Sequence, residues 1–582
     1  MGLYMLLLAL ALLLLRPQHP LALQNLLANP NFELVDASGG WPRNWSRGGS
    51  IFQRSTAQHV PGATASLEYR NYDPAAYEMV VQHVDPSRVV GGHRYTLSAD
   101  IMAAHLNASG YGGGATICAQ WSAPPFYGDY LGSGPSGVTN WTRQALTFVY
   151  PPSAPAMSVA AYVRPLVQGT NRTPIGVAYF GNLSLIHTPP PTMRTELVSP
   201  IYRGRITATA PTSISLRAHL HFELDPGQTS VVTLVATLSR RVGGPAPVGA
   251  AVATRQVGPI VLGGAGRGSV EERAVAIVFD ELAPASLQQG PYIVSVSCHD
   301  AQNRSIGGPT QLHNLTRLDD AAAPAAVELD QRQRTLVDGQ PFFPIGWFFG
   351  AGEEMTPGGA DFWRFELLSK SSFNSVMPYG ESSRVNLDAA AALGMKVVSS
   401  LKQVYFGMSA AHGPAPAAIT SIAAEAPYLR ERILATRNHS ALLAWYTNDE
   451  LDQSFLPQIS THYELFVELD PDHPTWQVLC EVGHFDDYLG TFDVLGSDPY
   501  PIGRVGRGAW GVEDEMNDTV TETDAARPVW EVLQAINWKL YNPALCVPSG
   551  NSTSLCHTPN ATEVRSMTWQ AINAGANGIF YW

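Results

Sequence analysis

The sequence predicts a multidomain chain: two all-β sandwiches followed by an α/β domain, a (β/α)8 TIM barrel. Three observations predict it. Residues 24–188 and 189–325 break into short runs of alternating apolar and polar side chains, divided by Gly, Pro and Asn, as half-buried antiparallel strands do. Residues 326–582 change pattern, and eight apolar runs there alternate with helical stretches, which suits a parallel sheet closed into a barrel. The fourth of these runs stops on Asn448-Asp449-Glu450. Two carboxylates thus stand at the C-terminal end of a strand, where barrel enzymes carry their reacting groups.

In chain order, Leu6–Leu15 is an unbroken run of Leu and Ala, ended by Arg16, Pro17 and Pro20. It is short for a membrane span and predicts a signal peptide over residues 1–23, with a signal anchor as the competing reading. Eleven N-x-S/T sequons follow, from Asn44 to Asn560. Together they predict a secreted, glycosylated protein. A net charge of -13 excludes a nucleic-acid partner, and no later stretch reads as a membrane helix. Of the five cysteines, Cys546 and Cys556 enclose a polar nine-residue loop and are the expected disulfide. Cys118, Cys298 and Cys480 are expected as buried thiols. No CxxC or HExxH spacing is present, so neither a metal nor a cofactor is expected.

The first module opens on NLLANPNFE and closes on GVAYFGNLSLI. These ends resemble carbohydrate-binding modules of the galactose-binding-like, jelly-roll type, which implies a sugar-binding loop. Phe126, Tyr127 and Tyr130 are its candidates, because exposed aromatic faces stack on sugars. Trp121 and Trp141 are expected in the sandwich core. The second module carries SISLRAHLHFEL, SVVTLVATLSR and YIVSVSCHD, an immunoglobulin-like alternation. Its SPIYRGRI at 199–206 resembles the entry to sandwiches that precede barrels in multidomain glycosidases. DDAAAPAA at 319–326 reads as a linker.

The eight barrel runs are 342–349, 373–379, 395–401, 441–447, 475–480, 492–498, 528–534 and 577–582. Helices are expected at 385–394, 423–437 and 562–576, where apolar side chains recur at helical spacing. The eighth run ends on Trp582, so the barrel is expected to be truncated after strand eight.

Trp445 with Glu450 five residues on resembles the end of the fourth strand in clan A (β/α)8 glycoside hydrolases. The resemblance implies a secreted retaining O-glycosidase acting on an oligo- or polysaccharide, with Glu450 as general acid/base. Asp449 stands where the family carries Asn, and a surface acidic pair capping the next helix is the structural alternative. The second carboxylate is expected on the seventh strand, PVWEVLQ. Glu531 is the candidate, with Glu481 and Asp498 as alternatives at the ends of strands five and six. The resemblance further implies substrate contacts from Asn448, Asp449, Trp347, Asp498, Tyr500, Gln534 and Trp582. Met377 replaces an Arg common in the clan. Asp449 and the irregular seventh strand leave open a second class of function, a carbohydrate-binding protein with a degenerate barrel.

Overall fold

The computed structural model describes residues 24–582, except 38–39, 48, 108–113, 122–127, 132–133, 152–153, 155, 165–173, 190–191, 208–210, 212, 224–228, 242–247, 264–269, 281, 320–324, 350–354, 409–412, 414, 481, 505 and 541–554. The chain divides into two compact units at Pro190/Pro191.

The first unit is a sandwich of two antiparallel sheets. One has five strands, in the order Phe52–Ser55, Ser66–Asn71, Gly176–His187, Arg94–Ala103, Thr142–Val149. The other has four, in the order Met79–His83, Met157–Arg164, Gly114–Trp121, Gly128–Tyr130. Alternate residues face inward, so Leu67, Leu97, Phe148, Val159 and Phe180 form one core. Both ends of this module are tied together by Asn25. Its amide donates to the Leu183 carbonyl at 2.9 Å and accepts from the Leu185 N–H at 3.0 Å. Trp121 is buried in the core as expected, and Trp141 is half-buried. Tyr130 is 41% exposed at a sheet edge; Phe126 and Tyr127 lie outside the described residues.

The second unit begins with another sandwich. Three strands (Met193–Ser199, Ile214–Glu223, Val270–Phe279) face five (Arg205–Ile206, Ser305–Arg317, Gly290–Asp300, Thr229–Arg241, Val248–Gly263) over Leu216, Leu234, Ile277 and Val294. This sandwich is locked to the barrel by Arg203. Its guanidinium pairs with Asp493 at 2.8 Å, and donates to the carbonyls of Asp470 at 2.5 Å and His473 at 2.8 Å. A short three-stranded meander, Val327–Leu329, Thr335–Val337 and Gln340–Phe342, follows. Val327 and Leu329 join the apolar cluster of the barrel interior, so the meander closes the N-terminal end of the barrel. The expected first run at 342–349 begins on the last residue of this meander, and the barrel strand itself starts at Ile345.

The barrel strands, numbered within it, are β1 (Ile345–Phe349), β2 (Ser375–Pro378), β3 (Lys396–Ser400), β4 (Leu442–Asp449), β5 (Thr475–Leu479), β6 (Val494–Ser497), β7 (Trp530–Leu533) and β8 (Gly578–Tyr581). All eight are parallel, in the order β6-β5-β4-β3-β2-β1-β8-β7, and a Leu495–Val529 bridge joins β6 to β7. The helices are α1 (Phe362–Ser369), α2 (Arg384–Ala392), α3 (Glu425–Thr436), α4 (Leu456–Leu469), α5 (Gly511–Glu522) and α6 (Ala561–Asn573). Between β5 and β6 the described residues form only the 3-10 turn Phe485–Tyr488, where Arg194 of the sandwich bonds Asp486. No helix among the described residues is long and apolar enough to cross a membrane.

The interior is aromatic: Phe348, Tyr446, Trp476, Trp530 and Phe580 pack together, with Trp476 and Phe580 centroids 4.6 Å apart. Gly496 on β6 leaves the space these rings need. A Cβ there would lie 2.5 Å from the Trp530 carbonyl oxygen and 2.8 Å from the Trp476 indole nitrogen. Gly496→Ala is therefore expected to destabilise the fold by about 1–3 kcal/mol, the usual range for overpacking. Chemical denaturation would check this, and an unchanged midpoint would refute it.

Candidate active site

The site is built where β4 stops being regular. Tyr446 pairs with Trp476 and Asn448 with Gln477, so Thr447 and Asn448 together oppose one residue of β5. This bulge breaks the two-residue alternation. Asn448 turns outward and is fully buried, holding the Leu451 N–H at 3.0 Å and bonding Gln477 at 3.3 Å. Its amide is spent on these protein bonds, so it braces the strand end. Asp449 takes the inward place beside Val478. Glu450 follows with φ +56°, a conformation that costs a non-glycine residue energy and is met often at functional sites.

Asp449 is the hub of this mouth. It accepts from Tyr379 at 2.6 Å, from Lys402 at 2.5 Å and from Tyr446. Burial alone would raise its pKa. The Lys402 charge and the three hydrogen bonds outweigh that and hold it below the ordinary carboxylate range. The two partners differ in cause: at Lys402 burial outweighs Asp449 and lowers the ammonium. Lys402 is 1% exposed and lies 3.3 Å from the Tyr379 ring centroid. Tyr379 in turn stacks on Trp582 at 5.1 Å. Asp449 thus fixes the aromatic wall of the mouth, while its oxygens are already engaged by protein donors.

Asp498, one residue past β6, meets Glu450 by a side-chain hydrogen bond. Parity brings it inward, since Val494 faces the interior and Ser497 the helix layer. Burial first, then the Glu450 charge and their hydrogen bond, push the Asp498 carboxyl well above the usual range. Two carboxyls at hydrogen-bond distance cannot both ionise easily, so the pair keeps one proton. Burial first, then the charges of Asp498, Glu450 and Asp449, push the Tyr500 phenol well above its ordinary value.

Glu531 is elsewhere. On β7, Trp530 and Val532 face inward, which turns Glu531 outward, against α5. It is fully buried, accepting from the Ser497 hydroxyl at 2.9 Å and the Ser497 N–H at 3.2 Å. Thr519 of α5 donates to that same hydroxyl at 3.2 Å. The sequence assignment of Glu531 as nucleophile is therefore corrected: its carboxyl belongs to the strand–helix layer. Burial, then the Glu515 charge, raise its pKa well above normal. A raised acid binds more protons folded than unfolded, so its contribution to stability falls as pH rises above its unfolded value. Glu531→Gln removes that decline. The Tm of the variant minus that of the wild type is expected to grow from pH 5 to pH 8, and a difference that stays flat would refute this.

Gln534 is also a fastener. Fully buried, it accepts from the Ile502 N–H at 2.7 Å and donates to the Ile502 and Ile536 carbonyls at 2.9 and 3.0 Å. It pins the loop that begins at Asp498, and its amide is spent on these backbone groups. Trp347 faces outward too, stacked with Tyr581 at 6.4 Å. It lines an apolar groove of about 610 Å³ on the outer face, with Phe349, Trp363, Leu367 and Phe373. Trp582 and Tyr500 stand at the mouth, against the rings of Tyr379 and Trp538. Glu481 lies outside the described residues.

Lys402, Tyr379 and Glu515 were not singled out from the sequence. Lys402 and Tyr379 each lie just past a strand end, which was the available signal. Cys118 and Cys298 are buried free thiols, whereas Cys480 is exposed, contrary to expectation. Cys556 is disulfide-bonded; Cys546 lies outside the described residues.

No protein-family model matches the chain, and no curated protein matches it in sequence. Among solved structures it is similar to β-glucuronidase 2 of Bacteroides uniformis, at 13% identity and TM-score 0.33, covering 90% of this chain and 61% of that one. A GH2 β-galacturonidase of Eisenbergiella tayi gives 12% and 0.34, covering 92% and 90%. A glycosyl hydrolase family 2 member of Bacteroides cellulosilyticus gives 13% and 0.32, covering 95% and 62%. The site stands on its own geometry, and no residue role is carried over from these proteins.

Proposed function

We propose that the barrel is a glycoside hydrolase of the retaining, two-carboxylate kind, with Glu450 as acid/base and Asp498 as nucleophile. The observation that carries this is the hydrogen-bonded Glu450–Asp498 pair at the C-terminal mouth of a (β/α)8 barrel. One proton on two carboxyls is the ionisation state such a reaction starts from. The single proton of the pair, which burial favours on Asp498 in the free site, passes to Glu450 when sugar binds; Glu450 gives it to the glycosidic oxygen as the C1–O bond breaks, and the Asp498 carboxylate bonds to C1. Glu450 then takes a proton from water, whose oxygen attacks C1 and releases Asp498. Retaining enzymes hold their two carboxyls roughly 5–5.5 Å apart and inverting ones roughly 6.5–9.5 Å, and we assign the retaining class because no room for a water lies between two carboxyls that interact directly. Trp582 and Tyr500 supply apolar faces for the sugar.

Hydrolysis of a panel of aryl glycosides and polysaccharides by the full chain, with product anomers followed by NMR, tests this. Inverted product would refute the retaining mechanism, and no turnover on any substrate would refute the enzyme. One observation favours a binding protein instead: the Asp449 oxygens are engaged by Lys402, Tyr379 and Tyr446, so this position offers a sugar no amide donor. In that reading, sugar binds at the mouth without turnover.

A secretory route, N-glycosylation, sugar binding by the first module and a Cys546–Cys556 bridge remain part of the proposal. They rest on the Leu6–Leu15 run, the sequons, Tyr130 and the cysteine spacing. A mobility shift on enzymatic deglycosylation of secreted protein would support the route, and its absence would count against it.

A further inference from the structure

The loop after β6 carries two arginines, Arg504 and Arg507, between Tyr500 and α5. The Arg504 guanidinium lies 5.2 Å from the centroid of the Trp538 ring. Trp538 is itself fixed: its indole N–H donates to the Tyr500 carbonyl at 2.8 Å, and its ring meets the Tyr500 ring edge-on at 6.2 Å. Tyr500 in turn stands within the field of Glu450 and Asp498. A continuous row therefore runs from the carboxyl pair through two aromatic rings to a guanidinium. Stacking on an indole leaves the N–H edges of a guanidinium open and holds its plane, which is how arginine is prepared for a planar anion.

Burial is the largest influence on Arg504 and lowers it, and both signs of charge surround it. Arg507 repels it, and Glu515 attracts it through space without a hydrogen bond. Glu515 faces both arginines, Asp518 on its own helix, and Glu450 across the mouth; burial outweighs the arginines and raises it to about 7. At neutral pH it is about half ionised against two guanidinium groups. Asp518 and the carboxyl pair add negative charge nearby, so the guanidinium groups act on an anion as directed hydrogen-bond donors and not through a net positive field.

We propose that Arg504, supported by Arg507, is an anion-binding residue of the saccharide site, and that the barrel takes a sugar chain bearing carboxylate or sulfate-ester groups. The anionic group lies on a ring neighbouring the one cleaved, because Arg504 is one aromatic ring further out than Tyr500. This inference rests on the saccharide reading of the mouth and narrows its substrate class.

The test is a binding measurement on the full chain, with no turnover required. Paired probes differ only in charge: trigalacturonate and its methyl ester, a glucuronate-containing tetrasaccharide and its methyl ester, and a sulfated galactan tetrasaccharide with its desulfated form. The acid pairs and the sulfate pair distinguish the two anion chemistries. At least one anionic probe is expected to bind on the order of tenfold or more tightly than its neutral twin, as a charge-assisted hydrogen bond predicts. In Arg504→Gln that ratio is expected to fall to near one, and in Arg504→Lys to lie between. Absence of any anion preference in the wild type overturns the proposal, as does a preference that survives Arg504→Gln, since the anion then binds elsewhere on the chain. If Arg504→Gln loses its circular dichroism spectrum, wild type and Arg507→Gln decide instead. The preference must shrink with added salt and weaken in Arg507→Gln, and insensitivity to both overturns it. Anion preference without hydrolysis of any probe refutes the hydrolase and leaves this inference standing. Hydrolysis of neutral sugars with no anion preference does the reverse.

Discussion

Glu450→Gln is expected to lose about 10²–10⁴-fold in turnover on substrates with poor leaving groups, the usual contribution of a positioned acid/base. The fold and sugar binding should persist, because the amide keeps the shape of the side chain. The loss should be smaller for an activated aryl glycoside in the first step, since such a leaving group departs without a proton. Azide should partly restore the second step, attacking the glycosyl-enzyme without base assistance and giving product of retained configuration. Asp498→Asn should behave differently. It removes the attacking carboxylate, so activity should fall for every leaving group, and azide could give at most the opposite anomer. Glu531→Gln should leave turnover intact. If Glu531→Gln abolishes turnover while Asp498→Asn does not, the assignment made from the barrel geometry is wrong. If Asp498→Asn alone shows the leaving-group dependence and azide rescue, the roles of Glu450 and Asp498 are exchanged.

The same substitutions bear on how far the sequence could be read. The strands were legible because parallel barrel strands bury both faces and therefore run apolar without alternation. ALLAWYT and its seven counterparts each contain a strand, and α2, α3 and α6 form where helical spacing placed them. The face of each side chain was less legible. Counting in twos along WEVL cannot say which pair faces inward until the ring cluster of Phe348, Trp476 and Phe580 claims Trp530. Glu531 then has to turn out. At β4 the bulge across Thr447 and Asn448 resets the count, so Asn448 and Asp449 exchange the faces that simple alternation assigns. Lys402 sits in a loop whose sequence carries no motif. Its role appears only when Asp449, 47 residues on, arrives within hydrogen-bond distance. Local pattern thus revealed elements, while the site depended on non-local packing.

That packing makes Lys402→Met the stability change with the largest expected effect. Lys402 is 1% and Asp449 15% exposed, so the substitution strands a largely buried carboxylate whose cation has gone. Breaking a buried pair from one side costs about 3–5 kcal/mol. The wild-type carboxylate is held below its ordinary pKa. Its contribution to stability is therefore complete above the unfolded value near 4 and is lost as pH falls through the folded value. In Lys402→Met the main cause of that lowering is removed and burial pushes the carboxyl up, so acid protonates it at little cost. The difference between variant and wild type should thus be greatest near neutral pH and shrink toward pH 4. Adding Asp449→Asn to Lys402→Met should recover part of the loss, because no charge is then left unpaired. Denaturant titrations of Lys402→Met, the double variant and wild type at pH 4.5 and 7.5 measure all of these terms. A loss equal at both pH values, or a double variant no more stable than Lys402→Met, would show that packing of the lysine stem rather than its charge supports Asp449.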